Sequence, residues 1–157
     1  MTFTCYQRRK FLASAKNRNL AVRILGEVRD RFQFKLIGYV LMPDHAHLLI
    51  SEPPGCSPAK AMQVFKQRVS RLLRGKKRRN TSQLVLAFPE EDALPRRFWQ
   101  RRYFDMNLYS AYLIRQKLDY IHANPVKEKL VSHPRDWPWS SWSAHVGQDA
   151  MLAVDFL

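Results

Sequence analysis

Residues 41–50 read LMPDHAHLLI, an apolar run interrupted by two imidazoles one residue apart. Side chains alternate across a strand, so His45 and His47 point to one face while Ala46, Leu48 and Ile50 point to the other. One face has the composition of a core, the other that of a site. Immediately before them, Pro43 and Asp44 make a tight turn, and FKLIGYVL (34–41) is a second β-prone run, so the stretch predicts an antiparallel hairpin over 34–41 and 45–51.

Working outward, TFTCYQRR (2–9) is β-prone, and a helix is predicted from about Asn19 with Ala21, Leu25, Val28 and Phe32 as its apolar stripe. Beyond the hairpin, SEPPGCSP (51–58) punctuates the chain. Ser57 and Pro58 form a cap and first turn for a helix whose stripe is Met62, Phe65, Val69 and Leu72. A less regular stretch rich in Pro and acidic residues (84–96) leads to RFWQRRYF (97–104), which has strand propensity. LYSAYLIRQKLDYIHAN (108–124) is helical until Pro125. The order strand, helix, strand, strand, helix, strand is the split βαβ pattern of an α+β, ferredoxin-like sandwich. Its antiparallel sheet would carry helices on one face and leave the histidine face free. No composition break marks a linker, so 1–157 is expected to be a single domain, with an irregular insert at about 74–96 and an aromatic tail at about 133–157.

A 46% hydrophobic content over 157 residues suits one compact core. The net charge of +14, from 27 Lys and Arg against 13 Asp and Glu, implies an anionic partner, nucleic acid first. Cys5 and Cys56 form no C-x-x-C pair, which argues against a zinc knuckle or a disulfide framework and for a reducing compartment. No apolar run approaches the ~18 residues of a membrane span, and MTFTCYQRRK is too polar for a secretory signal. A cytoplasmic location is expected, on the nucleoid when DNA is bound.

A lone histidine on an apolar strand is more often a satisfied structural side chain than a ligand. A same-face pair changes that balance, because imidazoles ~7 Å apart along a strand can share a cation once a third group arrives. The candidate third group is on the last helix. Tyr120 and Asn124 share a face with Lys117 and Leu113, while Ile114, Leu118 and Ile121 form a neighbouring apolar stripe that can dock on the sheet. A site of two histidines and one amide, with a tyrosine beside it, is physically reasonable.

PDHAHLL followed by LDYIHANPVKEKLV, with FWQRRYFD between them and DWPWSSW after, resembles the REP-associated tyrosine transposases, a single-tyrosine branch of the HUH nucleases. The resemblance covers about residues 2–145. It implies that His45 and His47 bind a divalent cation, Mg²⁺ or Mn²⁺, with Asn124 completing the site, and that Tyr120 is the nucleophile. The residue between the histidines is usually bulky in that family and here is Ala46, a departure that bears on packing more than on ligation. The implied activity is nicking and rejoining of single-stranded DNA at hairpin-forming palindromes, through a 5′-phosphotyrosine, by a monomer whose Tyr120 acts in its own chain. Phenols are poor nucleophiles at neutral pH, where only about a thousandth is ionised, so such a tyrosine needs an activating site. A non-catalytic nucleic-acid-binding domain that kept the fold is the alternative. A metal-dependent hydrolase is a weaker third reading, for want of a carboxylate cluster.

The run KQRVSRLLRGKKRRN (66–80) holds eight basic residues and no acidic one. Lys66, Arg68, Arg71, Arg74, Lys76, Lys77, Arg78 and Arg79 are therefore candidate phosphate contacts, which would hold DNA without reading its sequence. Arg101, Arg102 and Lys117 are further candidates, although a helical lysine such as Lys117 is more often simply solvated. Trp137, Trp139 and Trp142 could stack on unpaired bases, but such clusters more often staple a tail to the core.

Overall fold

The computed structural model describes residues 1–74 and 97–156. Three strands, β1 (Thr2–Thr4), β2 (Leu36–Leu41) and β3 (His45–Ile50), form an antiparallel sheet in the order β1-β3-β2. The hairpin turns at Pro43–Asp44 as its composition requires. β1 is shorter than the β-prone run 2–9 because Gln7 and Arg8 take positive φ, turning Tyr6–Arg8 into a 3-10 helix.

Helix α1 (Ala15–Phe32) begins four residues before Asn19, since the Ser14 side chain accepts a hydrogen bond from Asn17 N (3.1 Å) and caps it. Helix α2 (Pro58–Leu73) begins where Ser57 and Pro58 place it. Both pack on the sheet face formed by Phe3, Tyr39, Leu41, Ala46 and Leu48, burying Ala21, Leu25, Val28, Met62, Phe65 and Val69. Leu72, expected in the same stripe, is exposed, and Leu73 packs against the core in the last turn of α2 instead.

The other face is not free. Helix α3 (Ala111–Lys127) lays Leu118 and Ile121 on Ile37, Val40 and Met42, with Ile114 and Leu49 at the margin. The sheet could not leave those apolar side chains in water, so the docking expected of the Ile114, Leu118, Ile121 stripe outweighs the expectation of an open surface. Gly38 permits the approach: a Cβ there would sit 2.4 Å from Leu118 Cδ2. α3 also runs through Pro125 instead of stopping before it. The ring removes only one donor near the end of the helix, and Glu128 N closes the last turn on Asn124 O at 2.9 Å.

Both sheet edges are covered, which blocks edge-to-edge pairing. Residues 97–104 were expected to form a fourth strand but lie against β1 as isolated bridges, Thr2 with Phe104 and Cys5 with Trp99. On the β2 side, Leu41 N donates to Trp139 O and Ser141 N to Tyr39 O, both at 2.9 Å. The tail includes a 3-10 turn at Pro134–Asp136 and a short helix α4 (Trp142–His145). Trp137 Nε1 donates to Leu41 O (3.1 Å), and the buried Arg18 guanidinium lies 3.8 Å from the Trp139 ring centroid. Trp137 and Trp139 act as staples, as the commoner of the two readings holds.

Candidate active site

The register of the sheet assembles the site. Thr2 pairs directly with His47, and its Oγ1 lies 2.8 Å from His47 Nδ1. Asp44, at the end of the turn, places Oδ1 2.6 Å from His45 Nδ1, and its other oxygen meets Arg8 Nε at 3.0 Å. A carboxylate can only accept, so the His45 proton sits on Nδ1. Both rings spend Nδ1 on a neighbour, the arrangement that orients imidazoles as ligands; the Thr2 hydroxyl can accept as well as donate, so the tautomer with Nε2 as the lone-pair nitrogen is open to His47 too. The ring centroids are 4.9 Å apart, and the rings are 7% and 9% exposed. Burial, with His45 and the N-terminal ammonium adding to it, pushes the His47 imidazole down to about 3, so it is neutral at physiological pH, the form a metal needs.

α3 delivers the remaining groups. Ser110 caps the helix by accepting from Leu113 N, and the docked stripe fixes its rotation. The Tyr120 ring then stands edge-on to His47 with centroids 5.9 Å apart, and Tyr120 remains 47% exposed, open to a substrate. Asn124 is buried one turn later, and its Nδ2 donates to Tyr120 O at 2.9 Å. With the nitrogen end so committed, Oδ1 is the end of the amide that can face a cation. Tyr109 and Tyr112 are 87% and 73% exposed, and the tyrosine ring against the histidines is that of Tyr120. Among the described residues no three His, Cys, Asp or Glu side chains gather as a metal site; a cation held by His45, His47 and Asn124 would take two nitrogens and an amide oxygen from the chain and the rest from solvent. Two free Nε2 atoms and one oriented amide oxygen fit a divalent ion of borderline softness such as Mn²⁺, and Mg²⁺ more weakly.

The sequence family can now be set beside this geometry. The family described as Transposase IS200 like matches residues 1–124. The chain belongs to that family. An Escherichia coli K12 REP-associated tyrosine transposase is 26% identical over 149 residues, 94% of this chain and 77% of that protein. A Haemophilus influenzae protein named as a candidate REP-associated tyrosine transposase is 29% identical over 118 residues, 74% of this chain and 64% of its own length, so the match spans just under two thirds of that relative. A REP-associated tyrosine transposase solved bound to a REP hairpin shares the fold, with a TM-score of 0.70, 22% identity and coverage of 99% of this chain and 86% of its own. The resemblance read from the four motifs is thus borne out at the level of family and fold.

The basic candidates separate. Arg71, Arg101 and Arg102 are exposed. Lys66 is half-buried: its Nζ donates to Gln100 O at 3.2 Å and lies near the Phe3 and Tyr103 rings, and burial lowers its pKa. Arg68 pairs with Glu27, and Arg74 caps the C-terminus of α2. Lys76, Lys77, Arg78 and Arg79 lie outside the described residues. Lys117 Nζ is 5.7 Å from the Tyr120 ring centroid, and Lys127, which sequence reasoning missed, is closer at 4.5 Å. Thr2, Asp44 and Gly38 were also missed as parts of the site. Asp44 adjoins His45 in sequence and could have been found there. Thr2 and Gly38 need the sheet register and the position of α3.

Among the described residues no helix is long and apolar enough to cross a membrane. Cys5 and Cys56 are both free thiols.

Proposed function

We propose that this chain nicks and rejoins single-stranded DNA next to hairpin-forming palindromes, with Tyr120 as nucleophile and a divalent cation held by His45, His47 and Asn124. The observation that carries the reading is a pair of imidazoles in edge contact, each with Nδ1 already engaged, one of which, His47, stands 5.9 Å from the exposed Tyr120 ring between centroids. A structural histidine pair has no need of an open tyrosine beside it. The hairpin-bound relative of the same fold and the family's transposases support DNA as the substrate, and the charge of +14 suits it.

In this mechanism the Tyr120 phenolic oxygen attacks the scissile phosphorus and the P–O3′ bond breaks. The 5′-phosphate is left on Tyr120, and the departing strand end becomes a 3′-hydroxyl, its proton balanced by the one the phenol gives up to solvent. Bond energy is conserved in the phosphotyrosine, so a 3′-hydroxyl can attack it in reverse and restore a phosphodiester without ATP. Lys117 and Lys127 hold positive charge beside the ring, where the phosphate must come to rest. Asp44 and Thr2 keep the imidazoles turned toward that place, and Asn124 is buried with its oxygen end set by the Tyr120 carbonyl. A bound divalent ion would supply Lewis-acid stabilisation of the charge that builds on the phosphate.

The test is to incubate the chain with Mn²⁺ or Mg²⁺ and end-labelled hairpin DNA with single-stranded flanks, and to look for a covalent adduct on a denaturing gel. Wild type should form it, and Tyr120→Phe should lose it while binding DNA nearly as well. Adduct formation by Tyr120→Phe would sink the assignment. Tight binding with no adduct from the wild type would favour the non-catalytic DNA-binding reading.

A further inference from the structure

A cavity of about 190 Å³ opens beside Tyr120, and its walls include His47, Leu49, Phe104, Met106, Leu108 and Lys117. Two of these wall side chains are exposed apolar groups. Phe104 is 65% exposed and Met106 is 45% exposed, so they leave apolar surface in water next to the reactive phenol. Phe104 is nonetheless held in place: Thr2 N donates to Phe104 O at 2.7 Å and Phe104 N donates to Thr2 O at 3.2 Å. Thr2 is also the residue whose hydroxyl engages His47. One residue of β1 thus engages the His47 imidazole with its side chain and, with its backbone, pins the main chain that carries an exposed aromatic ring.

An exposed ring on a pinned backbone and a soft thioether around a small cavity make a surface for a flat apolar face. The volume is below the ~300–1,000 Å³ of drug-sized sites and suits a single planar ring system. Lys117, on the same wall, supplies charge for the attached phosphate. The occupant must also share the space with Tyr120, and the group that arrives there with a phosphate is a nucleotide of the strand being cut. We propose that Phe104 and Met106 form a seat for one unpaired nucleobase adjacent to the scissile phosphate, so that stacking on Phe104 sets which phosphodiester faces Tyr120. This rests on the DNA-cleaving reading above and assigns Phe104 as a positioning and specificity-determining residue for it.

The test separates the seat from the chemistry. Hairpin oligonucleotides with 5-iodouracil at one flank position at a time are bound to the wild-type chain in EDTA, where no cleavage is required, and irradiated, and the crosslinked peptide is identified by mass. One flank position should crosslink to Phe104 or Met106, and Phe104→Ala should abolish that crosslink without unfolding the chain, because the side chain is mostly in water. With metal present, an abasic spacer at the same position should slow wild-type adduct formation by between about 5- and about 150-fold, the range expected from loss of one base–aromatic stack. Phe104→Ala should slow it similarly on intact DNA and little further on the abasic strand, and Phe104→Tyr should restore the rate. Crosslinking without any adduct would leave the seat standing and overturn the cleavage reading. An adduct that tolerates abasic spacers at every flank position, or the absence of any crosslink to Phe104 and Met106, would overturn the seat.

Discussion

Replacing Gly38 with alanine should disturb both the stability and the chemistry of the protein, because α3 rests on that backbone. The added Cβ would lie 2.4 Å from Leu118 Cδ2, 3.2 Å from Ile121 Cδ1 and 3.4 Å from Ser141 Oγ. Carbon atoms prefer about 3.5–4.0 Å, so Leu118 must retreat by about 1.1 Å or more. It is buried, with Ile121 and Ser141 crowding the same spot, so turning the side chain aside only transfers the overlap to a neighbour. Overpacking of this kind costs about 1–3 kcal/mol, which corresponds to a fall in Tm of about 2 to 12 °C for a chain of this length. If α3 moves to relieve it, Tyr120 moves with it, and a displacement of ~1 Å at a reacting group can cost ~10²-fold in rate. Thermal unfolding followed by circular dichroism measures the first effect and the rate of adduct formation measures the second. Shortening the obstacle supplies the control: Gly38→Ala combined with Leu118→Ala should be no less stable than Leu118→Ala alone and should recover rate relative to Gly38→Ala, a coupling expected only of groups in contact. Unchanged Tm and rate in Gly38→Ala would refute the argument that Gly38 sets the seat of the helix. A lower Tm with an unchanged rate would show that the side chain yields and the helix does not.

Asp44→Asn keeps the size of the group that orients His45 but removes its obligate acceptor character, and it weakens the link to Arg8. The Mn²⁺ concentration needed for half-maximal adduct formation should rise about 10- to 100-fold, with hairpin binding in EDTA unchanged. Ser141→Ala strips the hydroxyl that accepts from Tyr39 N (2.9 Å) and meets His122 Nε2 (2.8 Å); leaving a buried N–H without its partner should cost about 1–3 kcal/mol, read by urea unfolding, and Ser141→Thr should recover part of it. Burial pushes the Cys5 thiol up to about 12, so at pH 8 almost none is thiolate. A thiol reagent should therefore label Cys56 and spare Cys5 until denaturant is added, and fast labelling of both in the native state would contradict the packing around β1.

The local devices of this fold are written in adjacent residues and could be read from them. Period-two alternation put Ala46 and Leu48 against α1 and α2 and His45 and His47 on the opposite side. Ser57 and Pro58 marked the start of α2, and the stripe Ile114, Leu118, Ile121 announced which side of α3 would dock. The extent of pairing was harder to read. Residues 97–104 have strand composition but meet the β1 segment only through isolated bridges, Thr2 with Phe104 and Cys5 with Trp99, because the register slips between the two and breaks the ladder. Pro125 looks like a stop in the sequence because a proline inside a helix costs an i to i−4 bond, yet near the end of α3 that cost is small and the helix continues through Lys127.

Legibility of the site follows the same division. His45, His47, Tyr120 and Asn124 are recognisable because each carries chemistry a core does not need. Their orientation depends on groups that look ordinary in sequence. Thr2 is a β-branched residue like many in strands, and only the pairing of Thr2 with His47 turns its hydroxyl into the group that holds Nδ1. Gly38 reads as a weak point in β2, and only the docking of Leu118 turns the missing side chain into a requirement. Both depend on contacts between residues far apart in the chain, where a one-residue slip of register would turn the same side chains to the opposite face. A variant that shifted β1 by one residue would keep His45, His47, Asn124 and Tyr120 in the sequence, yet move Thr2 away from His47 and Phe104 together. Loss of imidazole orientation and of the exposed ring beside Tyr120 should therefore occur as one event, because a single short strand fixes both.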